Sequence, residues 1–249
     1  MTLPKRKMDT IGNQDLVPPE LKLIQNIGSD DAKALGAQPG DFFCPMTSEI
    51  YKDGLDIVIV DMQKTRTYWG RSEIDNAPPD CSSSDADSLM SMDGKSCADC
   101  KLRCDTPWLV DVTERRQLCL IHYNLLTINY DSGMPLVIRA SGISTLPVRE
   151  LLTALRLNRQ IKGEYHRIKV RLISEKKKTS SGEGYALRFL KPTLITEKEK
   201  AEEMSALTYS LIGLLILPPQ EVAMLTELAE EPKLELKPIK ETKMPDLSF

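Results

Sequence analysis

The sequence predicts a mainly β fold: a small β-barrel with one crossing helix, interrupted by a cysteine-rich insert and followed by C-terminal helices. Three observations predict it. Apolar and polar residues alternate with the two-residue period of strands on both sides of residues 74–119. One clear 3–4 spacing, through Val148, Leu151, Leu152, Leu155 and Leu157, marks a single amphipathic helix ahead of the C-terminal region. No βαβαβ alternation appears, which argues against a doubly wound sheet.

The elements follow in order. Residues 1–16 are polar and read as a flexible N-terminus. The pair Pro18-Pro19 punctuates, and the Leu21/Leu23 alternation predicts a first strand. Residues 30–35 read as a short helix and Gln38-Pro39-Gly40-Asp41 as a turn. Residues 41–50 and 55–63 are strands, joined by a hairpin at Asp53-Gly54. The β-branched centre of Leu55–Gln63 favours a buried position, and residues 65–70 continue or edge that sheet. Sheet patterning stops at Ile74 and resumes after Arg116, with Leu118–Asn129 and Pro135–Ala140 as strands on either side of the turn Asp131-Ser132-Gly133. The helix of residues 148–161 comes next. Tyr165–Ser174 then alternates as a half-exposed strand and returns as Tyr185–Pro192 through a lysine-rich tip. The predicted organisation is thus a binding domain over 17–192 with the insert at 74–119, a helical segment over 193–231 and a flexible tail over 232–249.

Composition bounds the function. With 249 residues, 41% hydrophobic and 28% charged, the chain can bury a core and is not wholly disordered. The net charge of -3 disfavours a uniformly basic polyanion binder but permits a local basic groove. The apolar run Leu211–Leu217 is too short to cross a bilayer, and no signal peptide is legible at the N-terminus, so a cytoplasmic location without a membrane partner is expected. Only His122 and His166 are available for histidine chemistry.

Five of the six cysteines lie between Cys81 and Cys119, inside a stretch too acidic and too poor in apolar residues to fold by burial alone. Thiolates suit zinc, and Cys97-Ala98-Asp99-Cys100 has the two-residue separation of a zinc knuckle. The expected ligands of a structural Zn2+ are Cys81, Cys97 and Cys100, with Cys119 or Cys104 as the fourth; Cys119 ties both ends of the insert together. An iron–sulfur cluster, a redox pair or merely buried thiols are the alternatives. Cys44, alone in a strand, reads as a core thiol.

Charge is segregated. Residues 141–200 carry fourteen Lys/Arg against six Asp/Glu, while residues 201–249 carry four Lys against nine Asp/Glu. Alternation places Tyr165, Arg167, Lys169 and Arg171 on one strand face, with His166, Ile168, Val170 and Leu172 toward the core. Cations there would follow a phosphate backbone and Tyr165 would stack on a base; a solvated edge strand protected by its charges is the plainer alternative. Arg66, Tyr68, Trp69, Arg139, Lys162, Lys177, Tyr185 and Arg188 complete the candidate nucleic-acid contacts, with Trp69 equally suited to the core.

The segments V17-P-P-E-L-K-L-I-Q, P79-D-C-S-S-S-D, G94-K-S-C-A-D-C and M134-P-L-V-I-R-A-S-G, followed by an amphipathic helix, resemble phage- and mobile-element-encoded single-stranded DNA-binding proteins with an OB-type barrel and a cysteine insert. The resemblance covers roughly residues 17–192. It implies an OB-like fold, a structural metal in the insert, and single-strand binding by the cationic strands around Arg139 and Arg167. It also implies recruitment of replication or recombination proteins through the terminal Phe249, although Lys237, Lys240 and Lys243 depart from a strongly acidic tail. The leading expectation is non-enzymatic, sequence-tolerant binding and protection of single-stranded DNA during replication or recombination. RNA is not distinguished, and a homo-oligomer is compatible with the sequence. A protein–protein adaptor with a structural zinc module is the second expectation. A metal-dependent nuclease is the third and is disfavoured, because the acidic residues of the insert sit beside soft thiolates and no H-x-x-E arrangement occurs.

Overall fold

A computed structural model describes residues 17–26, 30–68, 80–83, 97, 100–106, 110, 118–157, 164–179 and 182–215. The described chain runs β1 (Glu20–Leu23), α1 (Asp30–Ala34), β2 (Phe42–Cys44), β3 (Glu49–Tyr51), β4 (Leu55–Tyr68), β5 (Cys81–Ser83), β6 (Leu120–Asn129) and β7 (Pro135–Ala140). A 3-10 turn (Gly142–Ser144) leads into α2 (Thr145–Leu157). A second 3-10 turn (Tyr165–Arg167) leads into β8 (Ile168–Thr179), β9 (Gly182–Phe189), β10 (Thr193–Leu194) and α3 (Lys198–Leu215).

These strands form one mixed sheet in the order β10-β8-β4-β6-β7-β1-β2-β3, with β5 also on β4 and β9 also on β8. The β1–β7 pair is parallel. The sheet curls into an open half-barrel, and the expected OB-like barrel with a zinc insert is corrected on this point. Closure would need β9 to find a backbone partner. Instead its outer edge is met by side chains. Gln25 Nε2 donates to the Tyr185 carbonyl at 2.9 Å, and Gln25 Oε1 accepts from the Tyr185 N–H at 2.8 Å. Asn26 Nδ2 donates to the Glu183 carbonyl at 2.7 Å, and Ser144 Oγ accepts from the Leu187 N–H at 3.0 Å. The chain leaves strand geometry after Leu23, so side chains span the gap that a ladder would otherwise close.

β4 is the axis of the sheet. It pairs with β6 from Ile57 to Thr67 and with β8 from Leu55 to Val58. A bulge between Ile59 and Asp61 lets this one strand serve both pairings, since an extra residue bends the strand and raises its twist. The expected hairpin at Asp53-Gly54 is also corrected: β3 pairs with β2, and β4 pairs elsewhere. Gly54 has a different task. Its φ is 78°, and a Cβ there would stand 2.1 Å from the Leu172 carbonyl oxygen, so glycine permits the close approach of the β4 start to β8.

The main core lies on one face of the sheet, where Leu21, Phe42, Ile57, Leu125, Ile138 and Leu172 pack against Val148, Leu151 and Leu155 of α2. Burying those three α2 side chains contributes roughly 5–9 kcal/mol before chain entropy is subtracted. Leu157, expected on the same stripe, is exposed. Cys44 is a core residue, as its isolation suggests. On the opposite face, Val58 and Ile128 pack against Ile195 and against Ala201 and Met204 of α3. The sheet is therefore covered on both sides, by α2 on one and α3 on the other. The expected N-terminus (1–16), the part of the helical segment beyond residue 215 and the tail over 232–249 lie outside the described residues.

Replacing Gln25 with Ala removes both bonds to Tyr185. The expected cost is roughly 1–2 kcal/mol, with hydrogen exchange at the Tyr185 amide accelerated and that of Val170 in β8 unchanged. Equal acceleration at both amides would show that Gln25 does not act locally on the β9 edge.

Candidate nucleic-acid interface

The described part of the cysteine segment is anchored by backbone hydrogen bonds and a buried arginine. Cys119 pairs with Arg103 as an isolated parallel bridge, accepting from the Cys104 N–H at 3.1 Å and donating to the Leu102 carbonyl at 2.6 Å. The Arg103 N–H bonds to the Cys100 carbonyl at 3.0 Å. Arg66, only 1% exposed, reaches in from β4; its Nη1 donates to the Cys104 carbonyl at 3.2 Å and its Nη2 to Asp105 Oδ1. Burial alone would raise the Asp105 pKa, but the hydrogen bond and charge of Arg66, with help from Arg103, hold it below the usual carboxylate range. All six cysteines are free thiols, and among the described residues no group of three or more His, Cys, Asp or Glu side chains is placed to hold a metal ion. The expected zinc site on Cys81, Cys97, Cys100, Cys119 or Cys104 is therefore corrected. Burial, reinforced by the neighbouring Cys81, Cys100 and Cys97, pushes the Cys119 thiol up to about 11.

The basic hairpin is only partly as expected. Ile168, Val170 and Leu172 face the core. Tyr165 and Arg167, however, sit on the 3-10 turn before β8, so the four-residue cationic face does not form. His166 lies against the Tyr209 ring of α3, with centroids 5.6 Å apart and planes tilted by 52°. Lys169 and Arg171 both meet Asp56, at 3.3 and 3.5 Å, because the β4–β8 register sets Asp56 opposite Arg171. Arg167 meets Glu164 at 3.0 Å, and Lys177 and Arg188 both meet Glu175 at 3.0 Å. The Lys177 hydrogen bond, with the charges of Lys177 and Arg188, draws the Glu175 carboxyl below its ordinary range. Exposed pairs of this kind add little stability and are screened by salt. Lys178 and Lys191 have no carboxylate partner among the described residues.

Tyr185 packs its ring on the Gly40 turn; a Cβ at Gly40, whose φ is 98°, would stand 2.7 Å from a ring carbon. Tyr68 is half-buried opposite Cys81 on β5. Arg139 is exposed on β7, 3.9 Å from Glu20. Trp69, Lys162 and Phe249 lie outside the described residues.

Two open clefts flank β10. The first, about 550 Å3, lies between Leu151 and Ala154 of α2 and the hairpin residues Lys177, Arg188, Phe189 and Lys191. The second, about 460 Å3, lies between the turn holding His166 and Arg167 and the α3 residues Lys198 and Tyr209, with Ile195 in its wall. Pro192 lines one and Ile195 the other, so these walls are at most about 10 Å apart along the chain. The structure thus brings Lys177 and Arg188 together, places Arg167 on the adjoining cleft, and leaves Arg66, Arg139 and Tyr185 elsewhere. Sequence reasoning missed Tyr209 and Lys198. The signal that could have found the tyrosine is the α3 stripe of Ala201, Met204 and Thr208, which leaves it standing off the apolar face.

No family model matches the chain, no curated protein matches it, and no solved structure matches its fold. The resemblance to phage- and mobile-element-encoded single-stranded DNA-binding proteins is accordingly corrected. The OB identity, the phage origin and DNA binding as a family property came with that resemblance and lose their ground with it, whereas the zinc, read from the cysteine spacing, is corrected by the placement of the described side chains. What remains is the surface itself.

On the sheet face opposite the main core, Thr67 Oγ1 and His122 Nε2 share a 2.6 Å hydrogen bond, and Asn124 Nδ2 donates to Thr65 Oγ1 at 3.4 Å. Burial, with a smaller push from the Arg139 charge, lowers the His122 pKa to about 4. The unfolded chain therefore takes up the proton first as pH falls from 6.5. His122 contributes stability that is fully present above pH 6.5 and lost on descent to about 4. The loss is on the order of 3 kcal/mol. Urea denaturation of the wild type and His122→Gln across that window checks this: the variant should show the shallower decline, and parallel profiles would contradict it.

Proposed function

We propose that this chain is a non-enzymatic, sequence-tolerant binder of single-stranded nucleic acid, which it holds along the edge formed by β8, β9 and β10. The observation that carries the reading is the pair of neighbouring clefts on the two sides of β10, both lined by cations and the second also by the exposed ring of Tyr209. Cations supply sequence-independent attraction to phosphates and release counterions on binding. Rings accept any unpaired base, since every base has a π-face. The carboxylates at this edge do not weigh against it. Of the four carboxylates lining the clefts, Glu164, Glu175 and Glu202 are tied to Arg167, Lys177, Arg188 and Lys198 by exposed pairs, which phosphate can replace at small cost, and Glu150 has no cation partner among the described residues. These carboxylates are divided between two clefts and are not gathered as hydrolytic chemistry requires. DNA and RNA are equally compatible with a surface that reads backbone charge and base faces.

A protein-binding adaptor is the second reading. Leu190 and Leu194, both exposed along this edge, favour it.

Fluorescence anisotropy with labelled oligonucleotides, single-stranded and duplex, across a salt series tests the proposal. Single strands should bind, with affinity falling steeply as salt rises. The triple variant Lys177→Glu, Arg188→Glu, Lys191→Glu should weaken binding at least tenfold and reduce the slope of log affinity against log salt by about 2. No binding by the wild type at low salt would overturn the proposal and leave the adaptor reading.

A further inference from the structure

We infer that the second cleft holds one unpaired base of the bound strand, stacked on Tyr209, and that this contact makes the surface prefer single strands to duplex. The inference rests on the proposed single-strand binding and goes further by assigning the discriminating contact. Three observations lead to it. Tyr209 is 61% exposed on a helix whose apolar side is already committed to the sheet through Ala201 and Met204, so packing does not account for the ring. Its neighbour His166 lies tilted against it with centroids 5.6 Å apart, which steadies the tyrosine while most of its surface stays open. Arg167 and Lys198 stand in the walls of the same cleft, where a strand entering with its base would bring phosphates.

The first cleft does not offer the same contact. Its ring, Phe189, is half-buried and packs against the main core, so it is less free to stack. The exposed pairs that hold the cations of the second cleft, Arg167 with Glu164 at 3.0 Å and Lys198 with Glu202 at 3.8 Å, leave both guanidinium and ammonium able to exchange a carboxylate for a phosphate. The cleft volume, about 460 Å3, lies toward the small end of ligand sites, which suits a single nucleotide. A duplex keeps its base faces stacked on one another and has none to present to Tyr209, whereas its phosphates still meet the cations. Removing the ring should therefore erase selectivity without erasing attraction to polyanions.

The test uses the full chain with an oligothymidylate and a duplex of equal length. Tyr209→Ala should lose roughly five- to 150-fold in affinity for the single strand, the range measured for one stacked base, and keep its duplex affinity. Tyr209→Phe should retain single-strand binding, because the face and not the hydroxyl makes the contact. Tyr209→Ala that binds oligothymidylate as the wild type does, or that loses single strand and duplex equally, would overturn the inference. Loss in Tyr209→Phe as large as in Tyr209→Ala would overturn it as well. A wild type that binds neither nucleic acid overturns the broader proposal, a result separable from any of these. The ring is exposed, and unchanged thermal melting of the variants confirms that they fold.

Discussion

One edge of β9 is laddered to β8, but its outer edge is held by side chains, and the first cleft lies where that holds β9 beside α2. Gln25, Asn26 and Ser144 bond to the outer edge of β9 where a backbone ladder is missing. An unprotected edge strand is a template for pairing with another chain, and polar side chains seated on its N–H and C=O groups remove that liability. They also fix the hairpin against β1 at one end and the α2 entry at the other. The first cleft exists because β9 is kept beside α2, and the second because the chain continues from β9 through Pro192 to β10 and α3. Two glycines allow the geometry: Gly40 admits the Tyr185 ring, and Gly54 admits the approach of β4 to β8.

The acidic, cysteine-bearing excursion is tied to the same sheet by a buried cation. Arg66 sits within β4 with almost no exposure and commits its guanidinium to the Cys104 carbonyl and the Asp105 carboxylate. A buried charge is tolerated only when paired and hydrogen-bonded, and here the partners come from the excursion itself. Backbone bonds between Cys119 and the 102–104 segment complete the attachment. Thiolate coordination is the natural expectation from the sequence, because residues 71–100 hold too few apolar side chains to anchor themselves. The arginine supplies an anchor that no cysteine count reveals.

Legibility followed periodicity. The strand Pro135–Ala140, the inward faces of β8 and the buried stripe of α2 were all readable, because burial imposes a period of two or 3.6 on the sequence. Openness was not readable, since it turns on three polar side chains with no periodic signature. Gly54 was misleading, because a glycine needed for close approach looks the same in sequence as one needed for a hairpin turn. The excess of cations over residues 141–200 was legible, but their neutralisation was not. Asp56 lies more than a hundred residues before Arg171, and only the strand register makes them neighbours. Tyr209 belongs to the same class of omission. Its partner His166 lies on a different element, and their meeting is a property of how α3 crosses the sheet.

In the proposed reading, one edge of the sheet, from the hairpin across β10 to α3, is the path of an unpaired strand. Photo-crosslinking with an iodouridine-substituted oligonucleotide, followed by mass-spectrometric mapping of the attached peptides, tests this most directly. Cross-links are expected to concentrate in residues 164–167 and 186–209, with Tyr209 among the modified positions. Cross-links confined to β6 and β7 around Arg139, with those two segments unmodified, would contradict it.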